Sequence, residues 1–422
     1  MPAPAPALPN SQHQRRRVAI TGLGAVSSLG TSVADFWQGL VQGRSGIAPI
    51  SLVNTSELRF KNGAEVAGYD PAANFPKGAE LLDRFAQFAV MAAREAVADS
   101  KLRFTPEIQS RTAVVTGSSV GGKTTEDDAF RQLYRDASPR VPPFTIPRAM
   151  ANASASHIAI DLGLTGPGFT LSTACSSANH ALGLAYWMVA NGISDLAIAG
   201  GSEAPFSYGL LKAWEAMRVI SPDTCRPFSK DRRGMILGEG AAMLMLEPLE
   251  NARARGAHIH AEITGFGMSS DAHHTTAGNV EGPVAAMSMA MHDGGIEPVQ
   301  VGYINAHGTG TPLNDATESS AINAAFGGYA KNILVSSTKA AHGHALGAAG
   351  ALEAVATVLA LENQLLPPTC NFTQPDPACE VNVIANEAKP AQVEYALSNS
   401  FAFGGLNAVV LFRRFQPVRG AG

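Results

Sequence analysis

The chain has 422 residues, of which 45% are apolar and 16% charged, with a formal net charge of −4. That balance allows a large buried interior and excludes the basic surplus of a nucleic-acid or anionic-membrane binder. No apolar run reaches the roughly 18 residues of a membrane span, and Cys175, Cys225, Cys370 and Cys379 lack metal-ligand spacing, which fits a reducing cytoplasm.

Residues 1–16 are rich in Ala and Pro, lack the apolar core of a secretory signal, and read as a disordered tail. Val18-Ala19-Ile20-Thr21-Gly22-Leu23-Gly24 predicts a strand entering a Gly-rich turn. Such a turn would suggest a dinucleotide site, but Ser27 stands where the third glycine belongs. Further strands alternate with long apolar helices at 84–100, 178–191 and 345–363. The alternation predicts largely parallel sheets covered by helices. The Ala and Gly content of those helices predicts burial between two sheets.

Leu171-Ser172-Thr173-Ala174-Cys175-Ser176-Ser177 reads as strand, sharp turn and helix, with Cys175 at or near the helix N-terminus. Free N–H groups and the helix dipole there favour a thiolate. They also suit an oxyanion on a thioester attacked by that sulfur. A small buried thiol filling a helix–strand corner is the alternative.

The chain repeats itself. Ile20-Thr21-Gly22-Leu23-Gly24 returns as Ile263-Thr264-Gly265-Phe266-Gly267, and 113–117 is echoed by 303–308. His180-Ala181-Leu182-Gly183 recurs as His344-Ala345-Leu346-Gly347, which sets Cys175 on Lys339. The segment 238–246 resembles 404–411. Two copies of one α/β unit follow, 17–258 with the cysteine and 259–416 with two histidines, His307 and His344. Equivalent strand ends then converge, bringing the turns of Cys175, His307 and Lys339 through His344 together.

Thr173-Ala174-Cys175-Ser176-Ser177, Asn305-Ala306-His307-Gly308-Thr309-Gly310-Thr311-Pro312, Ser337-Thr338-Lys339 with Gly343-His344, and Asn399-Ser400-Phe401-Ala402-Phe403-Gly404-Gly405 resemble the elongating β-ketoacyl-acyl-carrier-protein synthases. The resemblance runs in order over residues 16–415. It implies the thiolase fold, with duplicated βαβαβαββ halves in a five-layered α-β-α-β-α core. It also implies an acyltransferase that condenses an acyl-enzyme thioester with malonyl-carrier protein, in fatty acid or specialised polyketide or polyene synthesis.

By that resemblance Cys175 carries the acyl group, and the N–H groups of Cys175 and Phe403 form the oxyanion hole. His307 and His344 hold the malonyl thioester oxygen as carbon dioxide leaves; neutral imidazoles each donate one N–H. Lys339 is a supporting charge with Glu353 and Asp315 as partners, since a carboxylate in an apolar helix needs one. Thr309 and Thr311 bind the pantetheine arm. Phe403, with Phe401 beside it in a Gly-rich loop, gates the acyl passage, and Val120 and Thr145 line the acyl pocket. Arg140 and Arg218 dock the carrier protein. No metal and no cofactor is implied, because the substrates ride on the phosphopantetheine of the carrier protein.

Three positions depart from the family pattern: His342 and Leu406 replace threonines, and Thr145 replaces an aromatic. They leave the Cys/His/His set whole and point to a specialised synthase. The expected assembly is a homodimer, or a heterodimer with a homologous subunit. The alternative role, that of the chain-length-determining partner in such a pair, normally goes with loss of the cysteine.

Overall fold

The computed structural model describes residues 15–416. The expected tail therefore lies mostly outside the described residues, but its last two members are held: Arg15 pairs with Asp293 and Arg16 with Asp195.

The first half runs β1 (Val18–Ser27), α1 (Arg84–Ser100), β2 (Thr112–Gly117), α2 (Ala153–Leu162), β3 (Gly168–Leu171), α3 (Ser177–Ala190), β4 (Leu196–Glu203) and β5 (Gly240–Pro248). The second half repeats that order as β6 (Ala261–Ser270), α4 (Glu281–Asp293), β7 (Val301–Asn305), α5 (Pro312–Phe326), β8 (Leu334–Ser336), α6 (Ala349–Asn363), β9 (Tyr395–Ala402) and β10 (Leu406–Arg414). Strand order is β3-β2-β4-β5-β1 in one sheet and β8-β7-β9-β10-β6 in the other, so the two copies are wired identically.

Each sheet is mixed, which corrects the largely parallel expectation. β3, β2 and β4 run parallel, but β5 is antiparallel to both β4 and β1. β10 likewise lies antiparallel between β9 and β6. β10 follows β9 after a turn of residues 403–405, which lets it fold straight back as an antiparallel hairpin, whereas β5 takes the same place in its sheet after a long connection that includes the helix Tyr208–Met217. The sheets join edge to edge where β1 meets β6 antiparallel, through Val18↔Ile263, Ala19↔Glu262 and Ile20↔Ala261.

Three helical layers complete a five-layered thiolase fold. α1 covers the outer face of the first sheet, α4 that of the second, and α3 and α6 lie between them. Every residue of α6 from 349 to 361 is buried, as befits a helix apolar on all sides. Among the described residues, Leu346–Asn363 is the one helical stretch long and apolar enough to cross a membrane, and 89% of it is buried within the protein.

The paired glycines near each half's start have a packing role. A methyl group on Gly22 or Gly24 would overlap the carbonyl oxygens of Ala96 or Ala92 in α1. One on Gly265 or Gly267 would overlap those of Ala290 or Ala286 in α4. The Gly-x-Gly pattern thus seats a helix directly on a strand, in both copies. His180 and His344, by contrast, are not structural equivalents. His180 lies in the first turn of α3, whereas His344 sits ahead of α6, between the short helix Lys339–His342 and the turn Leu346–Ala348.

Gly24→Ala and Gly267→Ala should each destabilise the fold by about 1–3 kcal/mol, the usual cost of overpacking. Chemical denaturation of each variant reads the loss. Unchanged midpoints would refute backbone-to-backbone packing at these strands.

Candidate active site

Cys175 follows β3 by four residues and precedes the Ser176 cap of α3. The turn is strained: Ala174, a non-glycine, has φ 52°, a conformation costing on the order of 1–3 kcal/mol. Its surroundings hold it there. The Ala174 carbonyl accepts from Ser119 Oγ at 2.8 Å and Ser177 Oγ at 2.6 Å, and Ser177 Oγ accepts the Thr173 N–H at 2.9 Å. The strain aims Cys175 into a cavity of about 410 Å³ that is also lined by His307, His344, Phe401 and Phe403.

The helix end does not make Cys175 a thiolate. Burial pushes its pKa up to about 11, against the pull of the Lys339 charge and of the Phe403 and Cys175 backbone N–H groups. The expectation from the dipole alone is therefore reversed by desolvation. Those two N–H groups nonetheless face the sulfur, and Phe403 stacks loosely on Trp214 with ring centroids 6.3 Å apart.

His307 follows β7, and its backbone N–H donates to Glu318 Oε1 at 2.8 Å, while Gly308 N–H donates to Oε2 at 2.7 Å. His344 is fixed by the other half of the chain: its N–H donates to the Ile236 carbonyl at 2.7 Å, and its carbonyl accepts from Gly238 N–H at 2.9 Å. The two rings stand edge to face with centroids 5.4 Å apart. Burial, and then the Lys339 charge, holds both pKa values well below the ordinary 6.5, so both imidazoles are neutral. Neither Nδ1 has a hydrogen-bond partner among the described residues.

Lys339 is fully buried and its ammonium pairs with Glu353, also fully buried. Asp315 is not the second partner expected from the sequence. It accepts from the Phe228 N–H at 2.8 Å and the Gly310 N–H at 3.1 Å, and lies 3.7 Å from Arg232. Arg232 intercepts it because α5 turns that carboxylate toward the loop before Gly234. Thr309 and Thr311 line the cavity with hydroxyls 3.0 Å apart, and Thr311 also caps α5 through the Asn314 N–H at 3.3 Å.

Of the remaining expected residues, Arg218 alone borders this cavity. Val120 and Thr145 are absent from its lining. Val120 sits in a loop whose N–H groups bind Glu203, and the Thr145 hydroxyl donates to the Pro142 carbonyl at 2.7 Å. Arg218 is exposed and lines the cavity, whereas exposed Arg140 lies on the loop beyond helix Lys123–Tyr134.

Two carboxylates were not legible as site residues. Glu318 supports His307 and also accepts from Asn399 Nδ2 at 3.3 Å. Glu203, at the end of β4, accepts from Ser119 N–H at 2.7 Å and from Gly347 N–H at 2.9 Å, tying the loop beside Cys175 to the turn after His344. Burial pushes both acids up to about 7. Glu318 could have been flagged by its i,i+3 spacing from Asp315 on one helix face; Glu203 has no such sequence signal.

Alkylation of Cys175 by a haloacetamide should accelerate about tenfold per pH unit between pH 7 and 10, because only the thiolate reacts and its pKa is about 11. Intact mass, with Cys175→Ala to subtract other thiols, reads the rate. A plateau below pH 8 would refute the protonated resting thiol.

Comparison with known proteins places this geometry. The family descriptions "Beta-ketoacyl synthase, N-terminal domain" and "Beta-ketoacyl synthase, C-terminal domain" match residues 15–252 and 260–373. The chain is 45% identical to Nodulation protein E of a Rhizobium species over 399 residues, 94% of this chain and 99% of that protein. It is 42% identical to 3-oxoacyl-[acyl-carrier-protein] synthase 2 of Synechocystis over 413 residues, 96% and 99% of the two chains. The solved ishigamide ketosynthase/chain length factor superposes with a TM-score of 0.90 and 37% identity, covering 95% of this chain and 100% of that one. With both family halves matched in order along a five-layered duplicated fold, the chain belongs to the beta-ketoacyl synthase family.

Proposed function

We propose that this protein catalyses the decarboxylative condensation of an acyl thioester, held on Cys175, with malonyl-acyl-carrier protein. One observation carries the reading: a single cavity holds a buried thiol faced by two backbone N–H groups and, beside it, two neutral imidazoles. In the first step Cys175 Sγ attacks the thioester carbonyl of an acyl-carrier protein. Its proton ends on the departing pantetheine sulfur, and the N–H groups of Cys175 and Phe403 bind the oxyanion.

In the second step His307 and His344 each donate an N–H to the malonyl thioester oxygen. The C–C bond to the carboxylate breaks, carbon dioxide leaves, and its electron pair forms the enolate. The enolate carbon attacks the Cys175 acyl carbon, Sγ departs, and one proton restores the thiol. The product is a 3-oxoacyl thioester two carbons longer. The loss of carbon dioxide drives the step, so the chemistry calls for no metal and no redox cofactor. Burial, aided by the Lys339 charge, keeps the imidazoles neutral, while Asp315 shapes the loop of Thr309 and Thr311, which receives the pantetheine arm.

The same reading gives Phe401 and Phe403 the gate to the acyl pocket, Val120 and Thr145 its lining, and Arg218 with Arg140 the docking of an acidic carrier protein. A second subunit would complete the assembly. Support comes from the exposed Tyr134, Phe144 and Ile146 and from the partly exposed edge strand β3. The solved relative named for a ketosynthase and chain length factor makes a heterodimer as suitable as a homodimer. Cys175 and both histidines assign this chain the active half, not the length-setting half. The four unpaired cysteines fit action in the cytoplasm. Kinship with both a housekeeping-type synthase and Nodulation protein E leaves fatty acid and specialised polyketide or polyene synthesis as the pathway classes.

Cys175→Ala should abolish elongation of an acyl primer while leaving the fold intact. His307→Ala and His344→Ala should each slow release of labelled carbon dioxide from malonyl-carrier protein by about 10²–10³-fold, since each removes one oxyanion donor, and should retain acyl transfer to Cys175. Normal release from both histidine variants would sink the assignment.

Val120→Phe should shorten the longest acyl chain that loads Cys175 and spare short primers, because overfilling a packed site costs about 1–3 kcal/mol. Acyl-enzyme yield against primer length, read by intact mass, tests this. An unchanged cutoff would move the pocket floor away from Val120.

A further inference from the structure

The seam between the two halves carries a cluster that the condensation does not use. His258 and His260 lie in the linker ahead of β6, two residues apart, and Glu362 lies in the last turn of α6. Spacing of two in an extended segment puts both rings on one face, and their centroids are 4.5 Å apart. His258 Nε2 lies 2.7 Å from Glu362 Oε1, and His260 Nδ1 lies 2.8 Å from Glu362 Oε2. Ligand atoms of the three residues all fall within 4.8 Å of one another.

The fourth contact sets the chemistry. His260 Nε2 lies 2.8 Å from Asp99 Oδ2, at the end of α1, and that carboxylate also accepts the Leu23 N–H at 2.9 Å. Both His260 nitrogens face carboxylates, Nε2 that of Asp99 and Nδ1 that of Glu362; an ion bound at Nδ1 would displace the proton shared with Glu362, while the Nε2 N–H kept on Asp99 is the usual outer-shell arrangement of a metal-binding histidine. His260 itself is buried, with its side chain 10% exposed, whereas that of His258 is 57% exposed. The cluster therefore has a fixed inner ligand, a carboxylate, and an outer ligand free to adjust, with solvent at the open side.

We propose that His258, His260 and Glu362 bind a divalent transition-metal ion of the zinc class, with Asp99 orienting His260. Two imidazoles and a carboxylate are borderline nitrogen and oxygen donors, which favour zinc over magnesium or calcium. At metal–ligand distances of about 2.0–2.2 Å a tetrahedral ion holds its donors roughly 3.3 Å apart. The present 2.7–2.8 Å separations to Glu362 must therefore open slightly, by movement of the exposed His258 ring and the partly exposed Glu362 side chain against the fixed His260. Water takes the fourth position. The ion would fasten three elements from both halves: the linker, the end of α6 and, through His260, the end of α1. It lies apart from the cavity of Cys175 and acts on the stability of the seam, not on the chemistry.

The test uses the full chain, stripped with a chelator and titrated with zinc chloride in a calorimeter. The wild type should bind one equivalent more than His258→Ala, chosen because its exposed ring can be lost without emptying the core. Zinc should raise the melting temperature of the wild type more than that of His258→Ala, and magnesium should do neither. Asp99→Asn should keep the stoichiometry but weaken this site about 10–100-fold, the usual effect of losing an outer-shell partner. Equal zinc stoichiometry and affinity in wild type and His258→Ala would overturn the site, as would no binding to the wild type. Either result would leave the cluster as a hydrogen-bonded clasp alone. An Asp99→Asn variant with unchanged affinity would overturn the orienting role of Asp99.

Discussion

The buried ion pair of Lys339 and Glu353 is the interaction on which the site's electrostatics turn. Both side chains are fully inaccessible, Glu353 in the middle of a helix buried on every side. Taking two charges out of water costs several kcal/mol each, and a pair breaks even only with close geometry. The turn from Lys339 through His344 folds the ammonium back onto Glu353 in α6, and the complete burial of both side chains keeps water from relieving the pair. The ammonium that results acts on all three reactive groups. It draws the Cys175 thiol down against burial and adds to burial in holding the His307 and His344 rings neutral. A neutral residue in its place would leave Glu353 without its counter-charge beside a site that needs hydrogen-bond donors rather than cations.

Duplication explains why the pair and its targets meet. Cys175 and Lys339 each follow the end of an equivalent strand, β3 and β8, and His307 follows β7. In a sheet with three adjacent parallel strands those ends open on one side. Joining β1 to β6 then turns the two sheets so that both sets of ends border one space between α3 and α6. Further cross-ties keep the halves in register: Glu203 binds backbone on both sides of the space, and His344 pairs with Ile236 and Gly238. Rigid placement matters because an oxyanion donor misplaced by about 1 Å loses much of its effect.

Burial also divides the carboxylates by task. Glu318 and Glu203 collect backbone N–H groups, which hold the loops around them, and burial raises both to about 7. Asp315 also accepts backbone N–H groups and lies beside Arg232, which ties the segment before Gly234 to the loop of Thr309. None of these is exchangeable for an exposed acid, since each would cost its full desolvation if its partners were lost.

The amino-acid sequence by itself determined the repeat, the strand–turn–helix at Cys175 and the presence of two histidines and a lysine on turns at matching places. These are local: glycine pairs, apolar runs and turn residues mark them wherever the chain goes. The Glu353 pairing was also legible, because a lone carboxylate in an apolar helix demands a counter-charge. Only the tertiary structure decided that β5 and β10 run antiparallel, that Asp315 faces Arg232 rather than Lys339, and that the thiol is protonated at rest. Strand direction there depends on connection geometry, a carboxylate's partner on which segment folds over it, and a thiol's charge on desolvation. The last is a property of everything packed around Cys175, so it cannot be read from the helix end beside it.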